Sequence, residues 1–399
     1  MHEPQEALER ILGHVRSGPP EMVRIEDALG RALSAPVYAR RTLPPWNNSA
    51  MDGYALRAAD LDGPGVSLRQ VAEVAAGGSS PTAIGAGECA RIFTGAPLPP
   101  GADTVVMQEK VRAEGGRIEL QEVPAPGANV RAAGEDARAG ELLLPAGTSL
   151  GIPEVGLLWA QGLIEVAVSR APRVALFSTG DELCAVGQAE GDRIVDTNTP
   201  GLALAVRRAG GISTVLPIAR DSLEEVVARF RETDGFDVVI TSAGVSVGDR
   251  DFVRPALEVI GVEMDFWRVA IKPGKPLAVG TRGSTLYVGL PGNPASSLVT
   301  FELFVRPALR RLCGHTVVEP PRVGGLMVGD YRKAAGLTHY VRATVEFREG
   351  ALYASPLSTQ TSGALRSAAS ATHLIEVPPL VTELSPGQPV TLLPVSWAS

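Results

Sequence analysis

PRVALFSTGDEL (172–183) decides the architecture. The apolar run 173–177 is too short for a helix and breaks directly into Ser178-Thr179-Gly180-Asp181-Glu182. That is the pattern of a fully buried strand handing its carboxyl end to a polar, glycine-bearing loop. The pattern recurs downstream. Apolar runs 212–218, 238–241 and 286–290 alternate with helical stretches 199–209, 222–232, 251–260 and 294–312. Strands interleaved with helices of this length predict βαβ units and a doubly wound, mostly parallel sheet over 171–316. Asp221 or Ser222 is placed to cap the 222–232 helix, with Glu224 and Glu225 on its positive end.

Outward from this region the rhythm changes. Residues 1–45 open with an amphipathic helix, apolar at Ala7, Leu8, Ile11, Leu12 and Val15. Together with 137–170, which carries a helix at 153–161, they make an elongated N-terminal α+β region. Short alternating runs at 69–75, 104–109 and 117–122 lie between Gly/Pro clusters, so 46–136 reads as an inserted β module. Beyond Gly314 the helical pattern stops, and runs at 340–347, 374–377 and 389–393 predict a small β-barrel over 317–399. The fold class is therefore multidomain α/β, consistent with 399 residues, enough for roughly two to four domains.

Composition narrows function. A net charge of −7 excludes a general nucleic-acid binder, and no apolar run is long enough for a membrane span. The three cysteines, Cys89, Cys184 and Cys313, form no CxxC, and the N-terminus lacks a signal-peptide pattern, so a reduced, cytoplasmic setting is expected. Gly and Pro number 44 and 32, against 19 aromatic residues, which favours binding by backbone loops. Only four of the 37 basic residues are lysines (Lys110, Lys272, Lys275, Lys333), two of them three positions apart.

In an open parallel sheet, ligands bind beyond the carboxyl ends of the strands. Three loops fall there: 178–182, Thr241-Ser242-Ala243-Gly244-Val245-Ser246-Val247-Gly248-Asp249, and Pro291-Gly292-Asn293-Pro294-Ala295-Ser296-Ser297. Glycines admit close backbone approach, and hydroxyls and amides supply donors, so the three together point to a phosphate or other oxyanion. No Walker or GxGxxG pattern is present. Glu182, Asp249 and Asp251, with Asp181, lie in the same loops. A carboxylate ~6 Å from a phosphate charge is repelled by about 3 kcal/mol at an effective dielectric near 20, so a cation must intervene. All-oxygen ligands favour Mg2+. Asp251 serves equally as a cap for the helix that follows it. In Ile271-Lys272-Pro273-Gly274-Lys275-Pro276 the two ammonium groups project from a stiff turn and suit a small tetrahedral oxyanion. Asp196-Thr197-Asn198-Thr199-Pro200 is either a cap turn or a pair of groups reading the edge of a heterocycle. The polar stretches 46–55 and 131–136 read as ordered turns. No Ser–His–Asp or Cys–His set is present in any motif.

The motifs WNNSAMDGYA (46–55), IFTGAPLPPGAD (92–103), VRAAGED (130–136), STGDEL (178–183), DTNTP (196–200), GVSVGDRD (244–251), FWRVAIKPGKP (266–276) and GLPGNPASS (289–297) together resemble the MoeA family of molybdopterin molybdenumtransferases, which includes the E domain of gephyrin. The resemblance implies an enzyme that hydrolyses adenylylated molybdopterin and inserts molybdenum from molybdate, releasing AMP and molybdenum cofactor. It implies a homodimer, with 1–45 and 137–170 as the linker and dimerisation domain, and a composite site: Asp52, Thr94, Arg131 and Asp136 from one subunit's β module, facing the parallel-sheet domain of the other. In that domain Glu182, Asp249 and Asp251 would be catalytic and hold the metal, with Ser246 nearby. Ser178, Thr179, Gly180, Asp196, Asn198 and Gly244 would bind the pterin substrate. Lys272, Lys275, Pro291, Gly292, Asn293 and Pro294 would line the oxyanion pocket, assisted by Arg342 and Ser362. Transient contacts with the molybdopterin adenylyltransferase and with molybdoenzyme acceptors are implied too. Two departures stand out: Ala243 and Thr361 each replace a glycine usual in the family. The alternatives are the adenylyltransferase itself and a non-catalytic molybdopterin-binding scaffold.

Overall fold

The structure is a computed structural model that describes residues 1–77, 82–189, 191–244 and 252–398. The chain forms two compact units: Met1–Ala35 with Ala146–Val155 and Ile164–Ser399, and Pro36–Pro145 with Gly156–Leu163.

The larger unit is organised by a six-stranded sheet. Its spatial order is Ile212–Val215, Arg173–Ser178, Val238–Ser242, Thr285–Leu290, Pro276–Arg282 and Glu263–Arg268. The first four strands are parallel. The last two are antiparallel additions not expected from the sequence: Glu263–Arg268 is mostly half-exposed, and Pro276–Arg282 is buried through its middle. Side chains alternate across the sheet. Val174, Leu176, Val238, Ile240 and Val288 face one core, which also receives Leu202 and Val206 of the Asn198–Arg208 helix and Ala7, Leu8 and Ile11 of the Pro4–His14 helix. Phe177, Val239 and Tyr287 face the other, against Val226, Phe230 and Leu257. Each such apolar side chain contributes about 1.5–3 kcal/mol on full burial. The register matters most for function: Ser178 stands opposite Ser242, and Ser242 opposite Leu290. Three carboxyl ends therefore finish level, and their loops leave from one edge.

Ser222 caps the Leu223–Arg231 helix, its hydroxyl accepting from Glu225 N at 3.3 Å. The stretch expected as one helix over 294–312 runs as α-helix Pro294–Thr300, a π turn Phe301–Val305 and α-helix Arg306–Leu312. Pro307 has no N–H for the Leu303 carbonyl, and the π turn just upstream makes room for its ring.

Five strands close the C-terminal barrel: Thr338–Arg348, Ala351–Pro356, Val323–Met327, Pro389–Pro394 and His373–Val377, the last pairing back to the first. Its interior holds Met327, Val341, Ala343, Ile375 and Leu392. Helical structure does not end at Gly314, because Leu365–Ser370 is a helix with Ser367 and Ala368 buried. This alanine-rich turn is too short to show a periodic pattern. Ile271–Lys272 adds a short parallel strand to Thr338–Arg348, which fixes the lysine loop to the barrel.

The smaller unit is built on a six-stranded sheet in the order Thr104–Met107, Gly53–Leu56, Glu88–Ile92, Ser67–Val74, Arg117–Leu120 and Val111–Glu114. Tyr54, Leu56, Leu68 and Val106 pack on one face; Ala55, Val74, Ile92 and Val105 pack on the other. All three cysteines are free and buried.

Candidate functional site

Above the level strand ends lies a cleft of about 1130 Å3. Its wall takes Ser178 and Glu182 from the first loop, Ser242, Ala243 and Gly244 from the second, and Pro291 through Pro294 from the third. Asp196, Asn198, Lys272, Lys275 and Ser362 are in the same wall. Thr179 and Gly180 are not: Thr179 is buried, and Gly180 N donates to Ala219 O behind the loop. Ser246, Asp249 and Asp251 lie outside the described residues. A second cavity of about 240 Å3, bordered by Glu3, Leu8, Phe304, Arg322 and Glu376, is reached by none of these loops.

The loops are tied to one another by side chains. The Asp196 carboxylate accepts from Ser178 Oγ at 2.6 Å and from the backbone N–H groups of Asn198 and Thr199 at 3.1 Å each. It is the cap of the 198–208 helix. Asn198 Nδ2 donates to Ser242 Oγ at 2.8 Å and to Gly292 O at 2.7 Å, joining all three strand-end loops. Of the two readings open for this segment, the cap turn describes Asp196, and the Asn198 amide donors are taken up by the loops rather than offered to a heterocycle.

The lysine loop is rigid for a steric reason. At Gly274 (φ +103°) a Cβ would stand 2.3 Å from Thr300 Cγ2 and 3.3 Å from Ile271 Cδ1, so the loop lies flat on the 294–300 helix. Val269 N donates to Lys275 O at 3.0 Å. Both lysine side chains are exposed, and among the described residues neither forms an ion pair. Each therefore offers a free charge worth about 4 kcal/mol gross against a unit anion at ~4 Å and an effective dielectric near 20.

The carboxylate of Glu182 folds back over Gly180, 2.7 Å from where a Cβ would be. Among the described residues no donor occupies it, and no cluster of three carboxylate, imidazole or thiol groups forms. Arg342, expected in the oxyanion pocket, is not in its wall. It is fully buried in the barrel, where Nη2 donates to Thr359 O (3.2 Å) and Thr361 O (2.9 Å), and Nη1 to Ala364 O (3.5 Å). Gln360 brackets its backbone, accepting from Arg342 N and donating to Arg342 O. Burial lowers the guanidinium pKa. Arg342 thus shapes the loop that presents Thr361 and Ser362 to the cleft, and Ser362 O accepts from Ala295 N at 3.0 Å.

Beside the expected Ser362, the barrel adds Tyr331, Leu337, Tyr340 and Gln360 to the wall, none of them expected as site residues. Gln360 adjoins Thr361 and Ser362 in sequence, whereas nothing near the other three marks them. His339, beside Lys272 in the strand pairing, accepts or donates at Nδ1 with Tyr331 Oη at 2.8 Å. Burial, then the charges of Lys333 and Lys272, push its pKa down to about 4, and burial raises that of Tyr331.

In the smaller unit, Asp52 and Thr94 are brought together: Asp52 Oδ1 accepts from Thr94 N at 2.7 Å and Thr94 Oγ1 at 2.8 Å. The Thr94 N–H and hydroxyl hold the Asp52 carboxyl below the usual range. Arg131 is exposed and pairs in register with Asn48. Asp136 is exposed, its N–H donating to Leu43 O at 3.1 Å. Asn47 Oδ1 accepts from Ala133 N, which fastens the 46–49 and 130–136 segments together.

Three family models cover most of the chain: the MoeA N-terminal region (domains I and II) at residues 2–162, the probable molybdopterin binding domain at 175–311, and the MoeA C-terminal region (domain IV) at 327–395. The chain belongs to the MoeA family. Molybdopterin molybdenumtransferase of Nostoc sp. is 43% identical over 305 residues, 74% of this chain and 70% of that protein. The protein of the same name from Haemophilus influenzae is 36% identical over 326 residues, 81% and 80% of the two chains. Two crystal structures of the MoeA protein from Pyrococcus horikoshii match with TM-scores of 0.80 at 31% identity and 0.86 at 26% identity. The first covers 98% of both chains and the second 99% of this chain and all of that one. Against the usual MoeA glycine, Ala243 has a measurable consequence. It is held at φ +78°, with its methyl 3.1 Å from where a Cβ on Gly292 would stand. An L-residue there costs about 1–2 kcal/mol.

Proposed function

We propose that this chain is a molybdenum insertase of molybdenum cofactor synthesis. It acts on adenylylated molybdopterin and molybdate, hydrolyses the phosphoanhydride, transfers molybdenum to the dithiolene and releases AMP and the finished cofactor. The observation that carries this reading is the convergence on one cleft of three level strand-end loops and two lysines, neither ion-paired among the described residues. Lys272 and Lys275 hold the molybdate dianion, with the hydroxyls of Ser178, Ser242 and Ser362 and the Pro291–Pro294 backbone around the rest of the substrate. The 1130 Å3 volume suits a pterin carrying a nucleotide better than a lone oxyanion.

A hard divalent cation fits what is described. Glu182 stands in the wall as an oxygen ligand with no donor among the described residues; the remaining expected ligands, Asp249 and Asp251, lie outside them. Mg2+ bound there supplies Lewis-acid polarisation of the phosphoanhydride. The chain's own work is to neutralise the dianion with two fixed ammonium groups and to hold the substrate against preset loops that need no rearrangement.

The same reading includes a homodimer in which Asp52, Thr94, Arg131 and Asp136 of a second copy complete the site. The polar Asp52–Thr94 cluster, exposed and ordered by backbone hydrogen bonds, supports it. It further includes the four-part division at 1–45 with 137–170, 46–136, 171–316 and 317–399, a cytoplasmic setting, and passing contacts with the adenylyltransferase upstream and the acceptor enzymes downstream. No helix among the described residues is long and apolar enough to cross a membrane.

Incubation of the purified chain with adenylylated molybdopterin, molybdate and Mg2+ tests the proposal. AMP release coupled to reconstitution of a molybdenum-free acceptor enzyme is expected, and Lys275→Ala is expected to weaken molybdate binding while sparing the pterin. ATP consumption with free molybdopterin would instead indicate the adenylyltransferase; binding without turnover would indicate a scaffold.

A further inference from the structure

The reaction as proposed leaves Tyr331 of the cleft wall without a role, together with His339, which bonds to it, and Lys333, two residues along the chain. Tyr331 is in the cleft wall, and its ring meets that of His339 edge-on with centroids 6.1 Å apart. His339 is 7% exposed and sits opposite Lys272 in the pairing of Ile271–Lys272 with Thr338–Arg348. Lys333 Nζ donates to Leu337 O at 2.9 Å and Pro379 O at 3.1 Å, which closes the turn between Tyr331 and His339. The chain has four lysines. Two of them act electrostatically on this one imidazole, and a third is in the same loop as Lys272.

An imidazole is a poor choice for packing alone at such a position. Its ring nitrogens carry a desolvation cost that a leucine or phenylalanine would not, and nearby ammonium groups oppose its protonation. What it does is fix a phenol. Among the described residues Tyr331 is the hydrogen-bond partner of the ring, at Nδ1. With the neutral ring carrying its proton on Nδ1, that N–H donates to the phenol oxygen and leaves the phenol O–H free to turn toward the cleft.

We propose that Tyr331 is a third donor to the oxyanion held by Lys272 and Lys275, and that His339 is the positioning residue that orients the Tyr331 hydroxyl. The proposal rests on the reading of the lysine loop as an oxyanion platform. Two ammonium groups attract any dianion, whereas a fixed O–H selects one that places an oxygen at a set distance and angle. The pair therefore adds direction to a site otherwise governed by charge.

Equilibrium dialysis of molybdate against the full chain near neutral pH, with thermal melts in parallel, tests it. Tyr331→Phe keeps the ring and removes the donor, and is expected to weaken molybdate binding roughly tenfold to a hundredfold, the range for a hydrogen bond to a charged group. His339→Leu is expected to weaken it similarly on its own and to add little to Tyr331→Phe. His339→Asn, which can keep an N–H near the Nδ1 position, is expected to retain most of the affinity. A purely structural pair would instead give additive losses that follow the melting temperature. Wild-type affinity in Tyr331→Phe, where Lys272→Ala loses it, would overturn the role of the phenol and leave the platform standing. Wild-type affinity in both Lys272→Ala and Lys275→Ala would remove the platform and this proposal with it. Should Tyr331→Phe melt early, the two His339 variants decide: equal affinity in Leu and Asn forms counts against the proposal.

Discussion

Gly274→Ala isolates the part of the platform that is held by shape rather than by charge. At φ +103° an alanine bears a backbone penalty of about 1–2 kcal/mol. Its methyl would also stand 2.3 Å from Thr300 Cγ2, where carbon atoms rest at ~3.5–4.0 Å, and overpacking of this degree costs about 1–3 kcal/mol. The loop has little freedom to move away. Lys272 is pinned by its pairing with His339, and Lys275 by the 3.0 Å bond from Val269 N to its carbonyl. The expected loss is therefore about 2–5 kcal/mol of stability, read as a lower urea midpoint at an unchanged m-value, with weaker molybdate binding wherever the loop yields. Thr300→Ser in the same chain removes the offending methyl and keeps the hydroxyl that donates to Ser296 O and Ser297 O. It should restore the steric part, about 1–3 kcal/mol, and leave the backbone part. A Gly274→Ala protein with wild-type midpoint and affinity, or a Thr300→Ser partner that restores nothing, would refute the packing argument.

Ala243→Gly should relieve the positive-φ penalty of about 1–2 kcal/mol but lose unfolded-state restriction of about 0.4–1 kcal/mol, so the net expectation is a stabilisation of up to about 1.5 kcal/mol in urea. A destabilised Ala243→Gly protein would show that the backbone penalty at this position is smaller than the flexibility glycine adds to the unfolded chain. Arg342→Met removes the buried donor shared by three backbone carbonyls, leaves them unpaired, and should cost about 2–4 kcal/mol. Hydrogen exchange should rise across 359–364 first, ahead of the barrel strands. Acid should weaken the larger unit through two buried imidazoles. His315 and His339 are each pushed down to about 4, chiefly by burial, so between pH 6.5 and 4 the unfolded chain binds protons the folded one refuses. Stability is then full above pH 6.5 and falls by about 1–3 kcal/mol per imidazole toward pH 4. His315→Gln should flatten part of that slope in urea titrations at stepped pH; an unchanged slope would show that the ring is not kept neutral by folding.

What the sequence determined alone is the local grammar. Apolar runs ending in polar loops identify Arg173–Ser178, Val238–Ser242 and Thr285–Leu290, which are buried on both faces, and the loops that follow them inherit the site. The fourth run, Ile212–Val215, proves to be a largely exposed strand at the sheet edge. KPGK stands out for a comparable reason: two lysines in a lysine-poor chain, held between prolines, have no packing purpose. Tertiary structure alone decided which partners those pieces meet. The antiparallel strands Glu263–Arg268 and Pro276–Arg282 become legible only through their pairings, the first with the second and the second with Thr285–Leu290. Arg342 looked like a ligand to the oxyanion and proves to be a buried brace, since its three carbonyl partners are brought in by a loop 17 or more residues away. Tyr331 enters the cleft, with His339 bonded to its phenol, because the barrel closes and Ile271–Lys272 docks on its edge. Strand register and barrel closure depend on pairings between segments far apart in the chain, and no local periodicity encodes them.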